Sequence, residues 1–405
     1  MSEADERFAR ARARFDDGLA ALQARRYEDA ERGFLDALEL VPGRPSALGN
    51  LAAVRLLLGR PAEALAAAEQ ALAAEPGHRD ALWQRAQALS QLGRLAEACA
   101  ILEALVAAEP RLLPAWAALA ETLGALGRVD EALAAAARAL ALDDRDPGHW
   151  TLRGDLLRQA ERPAEAAQAF REALARGGDA SLNRYYLAAV DRGEPAPPTA
   201  PTVYVRGLFD GYAADFDRHL RGALRYEVPE RLTRGLADHG PFERALDIGC
   251  GTGLCGPHLR PLARHLVGVD LSRPMLEKAS ALRRYDELRL ADATEHLHAQ
   301  AARGPHYDLL VAADVFIYIG ALEPLFAAAR AATRAGALFC FSAEEPEAPE
   351  LDVQLLPSLR YAHAEAYLRR VAAAHGFEPL TLRRETIRHD QQRPVEGLYV
   401  WLKRR

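Results

Sequence analysis

A repeat of 34 residues organises the first half of the sequence. Consecutive blocks of this length begin at Ala11, Pro45, Arg79, Leu113 and Pro147. The twentieth position of every block is alanine, at Ala30, Ala64, Ala98, Ala132 and Ala166. Alanine and leucine dominate the blocks and β-branched runs are rare, which favours helices. The period therefore predicts stacked antiparallel helix pairs, with small residues where two helices approach closely.

The five in-phase blocks resemble tetratricopeptide repeats over residues 11–180, the alternative being an irregular alanine-rich helix bundle. The resemblance implies an all-α superhelix with a capping helix at Leu182–Asp191, forming a domain of residues 1–194. Such arrays usually hold a peptide, a protein or a second copy in their groove. The inner positions, such as Trp83 and Gln87, include no basic cluster that would clamp a carboxylate terminus. The partner is therefore left open.

Four prolines between Glu194 and Pro201 predict a stiff, extended linker over residues 195–202. The formal net charge is −6 and neither half has a basic excess, so we expect no nucleic-acid partner. No apolar run approaches the roughly eighteen residues that span a membrane. The four cysteines have no spacing typical of a metal site or a disulfide framework. We therefore expect a cytoplasmic protein with neither a membrane anchor nor a bound metal.

The second half, residues 203–405, alternates short apolar runs with helical stretches, which predicts a parallel sheet covered by helices. The predicted strands are Ala245–Ile248, Leu266–Val269, Leu288–Leu290, Leu309–Ala312 and Ala337–Phe341. The predicted helices between them are Leu254–Ala263, Pro274–Leu282, Thr294–Ala302 and Leu322–Ala332. Residues 377–387 and 397–402 read as an antiparallel pair that completes the sheet. Ligands of such sheets bind beyond the carboxyl ends of the strands.

Acidic residues lie at or just beyond the ends of four of these strands, at Asp247, Asp270, Asp292 and Asp314. Asp247 opens a run with Gly249, Gly251 and Gly253, which lets the backbone turn tightly against a ligand. Asp270 could accept both hydroxyl protons of a ribose. Asp292 could accept from the amino group of an adenine.

The glycine run also fits a dinucleotide fingerprint, Gly251-x-Gly253-x-x-Gly256, with Asp270 about twenty residues further on. A nicotinamide dehydrogenase is therefore an alternative. Asp247 argues against it, because its charge opposes a pyrophosphate but suits the cationic amino group of a methionine.

Together these motifs resemble class I S-adenosylmethionine-dependent methyltransferases, and the domain order is similar to a bacterial group of predicted methyltransferases with tetratricopeptide repeats. The resemblance implies a Rossmann-like, seven-stranded sheet whose last strand is antiparallel. It implies that Asp247 and the three glycines hold the methionine part of S-adenosylmethionine, the cofactor, which leaves as S-adenosylhomocysteine. It further implies that Leu271 and Met275 pack near the adenine, and that Asp292 and the Ala293 amide bind its edge.

The aromatic and acidic segment from Tyr204 to Asp217 resembles the lid helix of this group, with Tyr212 as a candidate cofactor contact. Asp314 and His363 are the candidate catalytic residues. His363 lies near the start of a predicted helix from Arg360 to His375, which the resemblance places in the acceptor pocket, and its side chain ordinarily titrates near neutral pH. The acceptor could be a small molecule or a peptide captured by the repeats. Alternatively, the chain is a binding scaffold whose cofactor domain is idle.

Overall fold

The computed structural model describes residues 2–212, 226–304, 306–348, 350–390 and 393–405, and the chain divides into two compact units, Met1–Gly178 and Asp179–Arg405. The first unit is built from antiparallel helix pairs. Its helices are α1 (Glu3–Gln23), α2 (Tyr27–Leu40), α3 (Pro45–Leu57), α4 (Pro61–Ala74), α5 (Arg79–Gln91), α6 (Leu95–Ala108), α7 (Leu113–Ala125), α8 (Val129–Leu142), α9 (Pro147–Gln159) and α10 (Pro163–Ala175).

The helix pairs follow the 34-residue period. The alanines at the twentieth position, from Ala30 to Ala166, are all completely buried. Gly59, Gly93 and Gly127 lie in the turns within three pairs at φ of 71°, 73° and 74°, a left-handed conformation that glycine adopts without strain. Each pair can therefore fold back sharply and close around a small residue.

The second unit contains the helices and strands of an α/β fold. Its helices are α11 (Ala180–Val190), α12 (Thr202–Tyr212), α13 (Val228–Thr233), α14 (Gly256–Leu259), α15 (Arg273–Ala281), α16 (Ala293–Ala301), α17 (Glu323–Ala332) and α18 (Glu365–Ala374). Its strands are β1 (Phe242–Ile248), β2 (Ala263–Asp270), β3 (Glu287–Leu290), β4 (Tyr307–Ala312), β5 (Thr333–Glu344), β6 (Val353–Leu355), β7 (Tyr361–His363), β8 (Phe377–Asp390) and β9 (Arg393–Arg404).

Within the described residues, the central sheet has the strand order β3-β2-β1-β4-β5-β9-β8. The first five strands are parallel, and β9 is inserted antiparallel between β5 and β8. This arrangement confirms the seven-stranded fold with an antiparallel last strand. Two short strands are additional, because β7 pairs with the end of β5 and β6 pairs with β7. The predicted helix that opened at Arg360 is wrong at its start, since residues 361–363 form β7 and α18 begins at Glu365.

Helix α11, predicted as the cap of the repeats, groups with the second unit. Tyr185 is completely buried there beside Tyr204 and Tyr361, with ring centroids 5.3 and 6.1 Å away. Its hydroxyl donates to the carbonyl of Leu359. The units therefore divide after Gly178 rather than at residue 194, because the tyrosines of α11 are part of the α/β core.

The proline-rich segment predicted as a linker is also built into the second unit. The carbonyl of Pro198 accepts from the backbone N–H groups of Gly320 and Ala321, both at 2.8 Å, and Ala200 donates to the carbonyl of Tyr318 at 2.9 Å. The Tyr361 hydroxyl donates to the carbonyl of Pro197 at 2.6 Å. Prolines lack N–H donors but keep their carbonyls, so this extended segment pairs through the carbonyl side.

Candidate functional site

A cavity of about 670 Å³ lies at the carboxyl ends of the parallel strands. Residues that follow β1, β2, β3 and β4 line it, as the position of the acidic residues predicted. Helix α12 and residues 198–202 contribute further wall residues, among them Val205 and Phe209. The Phe209 ring packs edge-on against Tyr318, with centroids 5.6 Å apart. The site is thus enclosed by segments that precede the sheet in sequence.

The loop after β1 requires its glycines. Gly249, Gly251 and Gly253 have φ of 60°, 53° and 90°, a region that other residues rarely adopt. A Cβ on Gly249 would also lie 2.6 Å from a methyl carbon of Val315. Gly249 and Gly251 line the cavity, so a ligand there can approach bare backbone.

Asp270 ends β2 and lies in the cavity wall with its carboxylate held in place. One oxygen accepts from the Gly251 N–H at 2.8 Å, and the other accepts from the Ser272 N–H at 2.8 Å. Burial is the main cause that raises the pKa of Asp270, and the nearby charge of Asp210 adds to it. Asp210 belongs to α12 and accepts from the Ser272 hydroxyl at 2.6 Å. The glycine loop, Asp270 and α12 therefore form one hydrogen-bonded unit.

Asp292 is the N-cap of α16. Its Oδ1 accepts from the backbone N–H groups of Thr294 and Glu295 at 2.8 and 3.1 Å. No hydrogen bond within the described residues reaches its Oδ2. Asp292, Ala293 and Leu271 all line the cavity, with Asp292 and Ala293 beyond the end of β3 and Leu271 directly after Asp270. This part of the wall thus combines two carboxylates with an apolar side chain.

Asp247 lies behind the glycine loop and is not among the described residues that line the cavity. Its side chain is buried, and its Oδ2 accepts from the Tyr285 hydroxyl at 2.6 Å. Its Oδ1 is buried without a hydrogen-bond partner in the described part of the chain. Burial raises the pKa of Asp247 to about 7, and the charge of Asp270 contributes in the same direction.

One further predicted contact, Met275, differs from expectation. Met275 is completely buried and is not among the described cavity residues, because α15 turns it into the core. Tyr212 ends α12, and its side chain lies outside the described part of the structure, as does the rest of the predicted lid up to Asp217.

Beyond the fourth and fifth strands, Asp314 and Glu344 meet Arg388 of β8. Nη1 of Arg388 donates to the two Asp314 oxygens at 2.9 and 3.0 Å, and Nη2 donates to Glu344. We call these three residues the Arg388 ion triad. Only 2% of the arginine is exposed. Burial opposes the positive charge, but the two carboxylates outweigh that effect and raise the pKa of Arg388. Asp314 has a positive φ of 60°, and its N–H donates to the Ser342 hydroxyl at 2.9 Å.

Comparison with known families assigns the two units. A methyltransferase-domain model matches residues 246–339, which contain the glycine loop and all three strand-end acids that line the cavity, Asp270, Asp292 and Asp314. Tetratricopeptide repeat models match residues 15–77, 55–119 and 117–181. The chain carries a methyltransferase domain behind tetratricopeptide repeats. Within the described helices of both, none is long and apolar enough to cross a lipid bilayer.

Solved structures are similar to part of the chain. MamA from Desulfovibrio magneticus RS-1 shares 20% identity over 41% of this chain and 94% of its own, with a TM-score of 0.39. TTC0263, a thermophilic TPR protein of Thermus thermophilus, shares 25% identity over 44% of this chain and 98% of its own length, with a TM-score of 0.38. YrrB, a TPR protein with an unusual peptide-binding site, shares 20% identity over 42% of this chain and 88% of its own length, with a TM-score of 0.37. No curated protein matches the chain.

His363 does not reach the cavity of the methyltransferase domain. The side chain is completely buried, stacks on Tyr367 and places Nε2 2.9 Å from the carbonyl oxygen of Ile319 and 3.2 Å from that of Gly320. Burial lowers its pKa to about 4. The expectation of a catalytic base at His363 is therefore corrected to a structural role, in which a neutral ring donates to the loop after β4.

The cavity also contains two residues that the sequence did not identify, Arg388 and Tyr226. Arg388, Arg360, Tyr318 and Tyr226 line the side of the cavity that holds Asp314, which we call the acceptor end. Arg388 is 74 positions from Asp314 in sequence, so no local motif joins them. In the part of the methyltransferase domain that is described, no group of three or more His, Cys, Asp or Glu side chains is arranged to hold a metal ion.

Proposed function

We propose that the methyltransferase domain transfers a methyl group from S-adenosylmethionine to an acceptor bound in the cavity. The observation that carries this proposal is the pair of strand-end carboxylates, Asp270 and Asp292, in the wall beside a bare glycine loop. Two carboxylates in one cavity wall can accept from the hydroxyl and amino groups of a nucleoside.

The described residues fit an adenosine. The Asp270 oxygens accept from the backbone N–H groups of Gly251 and Ser272, and the carboxylate keeps lone-pair capacity for a ribose hydroxyl. The Oδ2 of Asp292 and the N–H of Ala293 would take the adenine edge, and Leu271 would pack on the ring. The left-handed glycines would let the methionine part approach the loop backbone.

Asp247 would then support the loop rather than bind the methionine. Its carboxylate is tied to Tyr285 and lies outside the cavity wall, so we replace the expected direct contact with a role behind the loop. When Asp247 is ionised, above its raised pKa, its carboxylate adds to the negative potential beneath the glycines, which favours a cationic ligand.

The same geometry disfavours a dinucleotide. Helix α14 after the glycine loop has only four residues, so few aligned peptide dipoles point at the position of a pyrophosphate. The carboxylates of Asp210 and Asp270, joined through Ser272, would repel that anion. A positively charged donor is favoured at the same place.

When bound, S-adenosylmethionine supplies a methyl group activated by a positively charged sulfur. The chain's own residues bind and align the two reactants and keep water out. Helix α12 is held over the cavity by the Ser272–Asp210 hydrogen bond and the Phe209–Tyr318 contact, and residues 198–202 close the wall beside Tyr318.

Calorimetry on the full chain tests this function. We expect S-adenosylhomocysteine to bind at one site and NADH not to bind. Binding of NADH alone would favour the dehydrogenase alternative, and binding of neither would refute a nucleoside site. If S-adenosylhomocysteine binds but a broad screen with labelled S-adenosylmethionine yields no methylated product, the chain is the scaffold with an idle cofactor domain.

For the repeat unit we propose a role in capturing a peptide or protein, which is the substrate, another partner or a second copy of the chain. A truncated variant that begins at Asp179, and so lacks the repeat unit, separates these roles. A small-molecule enzyme keeps its turnover without residues 1–178, whereas an enzyme that captures its substrate through the repeats loses most of it. We place the protein in the cytoplasm, supported by four buried cysteines in the thiol form.

A further inference from the structure

The acceptor end of the cavity is distinguished by a buried arginine with a spare donor. Arg388 is fixed by Asp314 and Glu344 through its two terminal nitrogens. Its Nε–H is buried and donates to no acceptor within the described residues. A buried donor of a charged group without a partner is costly, and a ligand acceptor at the cavity surface would relieve that cost.

A second arginine lies at the same end. Arg360 lines the cavity and directly precedes β7, whose Ala362 pairs with Glu344 at the end of β5. Its positive charge is close enough to act on both Tyr318 and Glu344. The cavity wall also includes apolar side chains, among them Ile317, Pro324 and Leu325. Two guanidinium groups beside an apolar surface match a ligand with an anionic head and an apolar body.

Among the described residues that line this end, none is a base ready to take a proton. Both oxygens of Asp314 already accept from Arg388. Burial raises the pKa of the Tyr226 and Tyr318 hydroxyls, so both stay neutral. No described cavity residue is a histidine, and His363 points into the core. An acceptor that reaches this end with a proton on its nucleophilic atom would find no group to remove it.

We propose that the acceptor is the carboxylate of a largely apolar acid and that the product is its methyl ester; this inference rests on the proposed function. The carboxylate is already an anion at neutral pH, so no proton moves. One carboxylate oxygen forms a bond to the methyl carbon while the carbon–sulfur bond breaks. The bonding pair goes to sulfur, which becomes a neutral thioether. Arg388 Nε and Arg360 hold the carboxylate, and the apolar wall holds the rest of the acid.

Binding rather than turnover gives the first readout. Butanoate, octanoate, dodecanoate and phenylacetate are titrated into the full chain saturated with S-adenosylhomocysteine, each beside its primary amide. We expect at least one acid to bind at least about tenfold more tightly than its amide, because charge-assisted hydrogen bonds are about twice as strong as neutral ones. Mass spectrometry with S-adenosylmethionine then detects the methyl ester of that acid.

Arg360→Gln is the principal variant, because Arg360 is only half-buried and is not a member of the Arg388 ion triad. We expect the advantage of the acid over the amide to fall by about tenfold, with unchanged affinity for S-adenosylhomocysteine. Arg244→Gln is the matched control, since Arg244 is half-buried at the opposite end of the sheet and pairs with Glu287 at 2.9 Å.

The proposal is overturned if no acid binds better than its amide, or if Arg360→Gln changes the preference no more than Arg244→Gln does. Either result with intact S-adenosylhomocysteine binding leaves the proposed methyltransferase function standing. Failure of S-adenosylhomocysteine itself to bind refutes both.

Discussion

Asp270 is the residue on which the cofactor assignment depends most directly, and Asp270→Ala is its sharpest test. The substitution removes two acceptor oxygens from the cavity wall and releases the N–H groups of Gly251 and Ser272, each 2.8 Å from the carboxylate. If the ribose hydroxyls donate to these oxygens, the variant loses up to two charge-assisted hydrogen bonds with the ligand.

The expected size follows from those two bonds. A hydrogen bond to a charged group contributes about 1.5–3 kcal/mol, and about 1.4 kcal/mol corresponds to a tenfold change in affinity. Loss of one bond therefore weakens S-adenosylhomocysteine at least about tenfold, and loss of both weakens it about a hundredfold or more.

Calorimetry measures the affinity, and Asp308→Ala supplies the matched control. Asp308 also accepts two backbone hydrogen bonds, from Glu243 and Arg244 at 2.9 and 3.1 Å, but it lies at the start of β4, away from the cavity. Both variants should lose thermal stability, and only Asp270→Ala should lose affinity. Equal affinities in the two variants would refute the ribose assignment.

Three further predictions follow from the packing. Gly249→Ala adds a Cβ that meets Val315 and should abolish S-adenosylhomocysteine binding. Gly336 also has a left-handed φ but has open space around it, so Gly336→Ala should bind S-adenosylhomocysteine normally. Equal losses of affinity in the two variants would exclude crowding as the cause. Because the pKa of His363 is lowered from 6.5 to about 4, only the unfolded chain takes up this proton between those values, so stability falls with falling pH. Between pH 6.5 and 5 the free energy of unfolding falls by about 2 kcal/mol from this cause. Chemical denaturation of His363→Gln at the two pH values should therefore show a fall that is smaller by about this amount than in the wild type. A truncation that begins at Asp179 should melt at a higher temperature than one that lacks α11, because the latter loses the buried Tyr185; equal melting temperatures would contradict the observed division.

Local patterns were sufficient to predict the fold and one side of the cavity. The 34-residue period and the alternation of apolar runs each repeat over many residues, so single deviations do not hide them. Asp270 and Asp292 follow strands whose carboxyl ends must meet at one edge of a parallel sheet. Their arrival in the cavity wall thus depends on topology rather than on side-chain detail.

The acceptor end depends on features that local patterns do not encode. The pairing of β8 with β9 changes register between Thr386 and Arg388. As a result, the neighbouring side chains of Ile387 and Arg388 are both buried. Such a bulge breaks the alternation on which strand prediction relies. Asp247 and Met275 were misplaced for a related reason, because one residue of rotation decides whether a side chain faces the ligand or the core.

The Arg388 ion triad restricts how the specificity of this domain could diverge. Its members come from three separate strands or their ends, and removing one partner of a buried ion pair costs about 3–5 kcal/mol. Single substitutions at Asp314, Glu344 or Arg388 are therefore strongly epistatic, since each is tolerated only with a second change. Arg360 is half-buried and is not a member of the triad. A single substitution at Arg360 is therefore the shortest route to a cavity that binds an acceptor of different charge, because it leaves the triad residues unchanged.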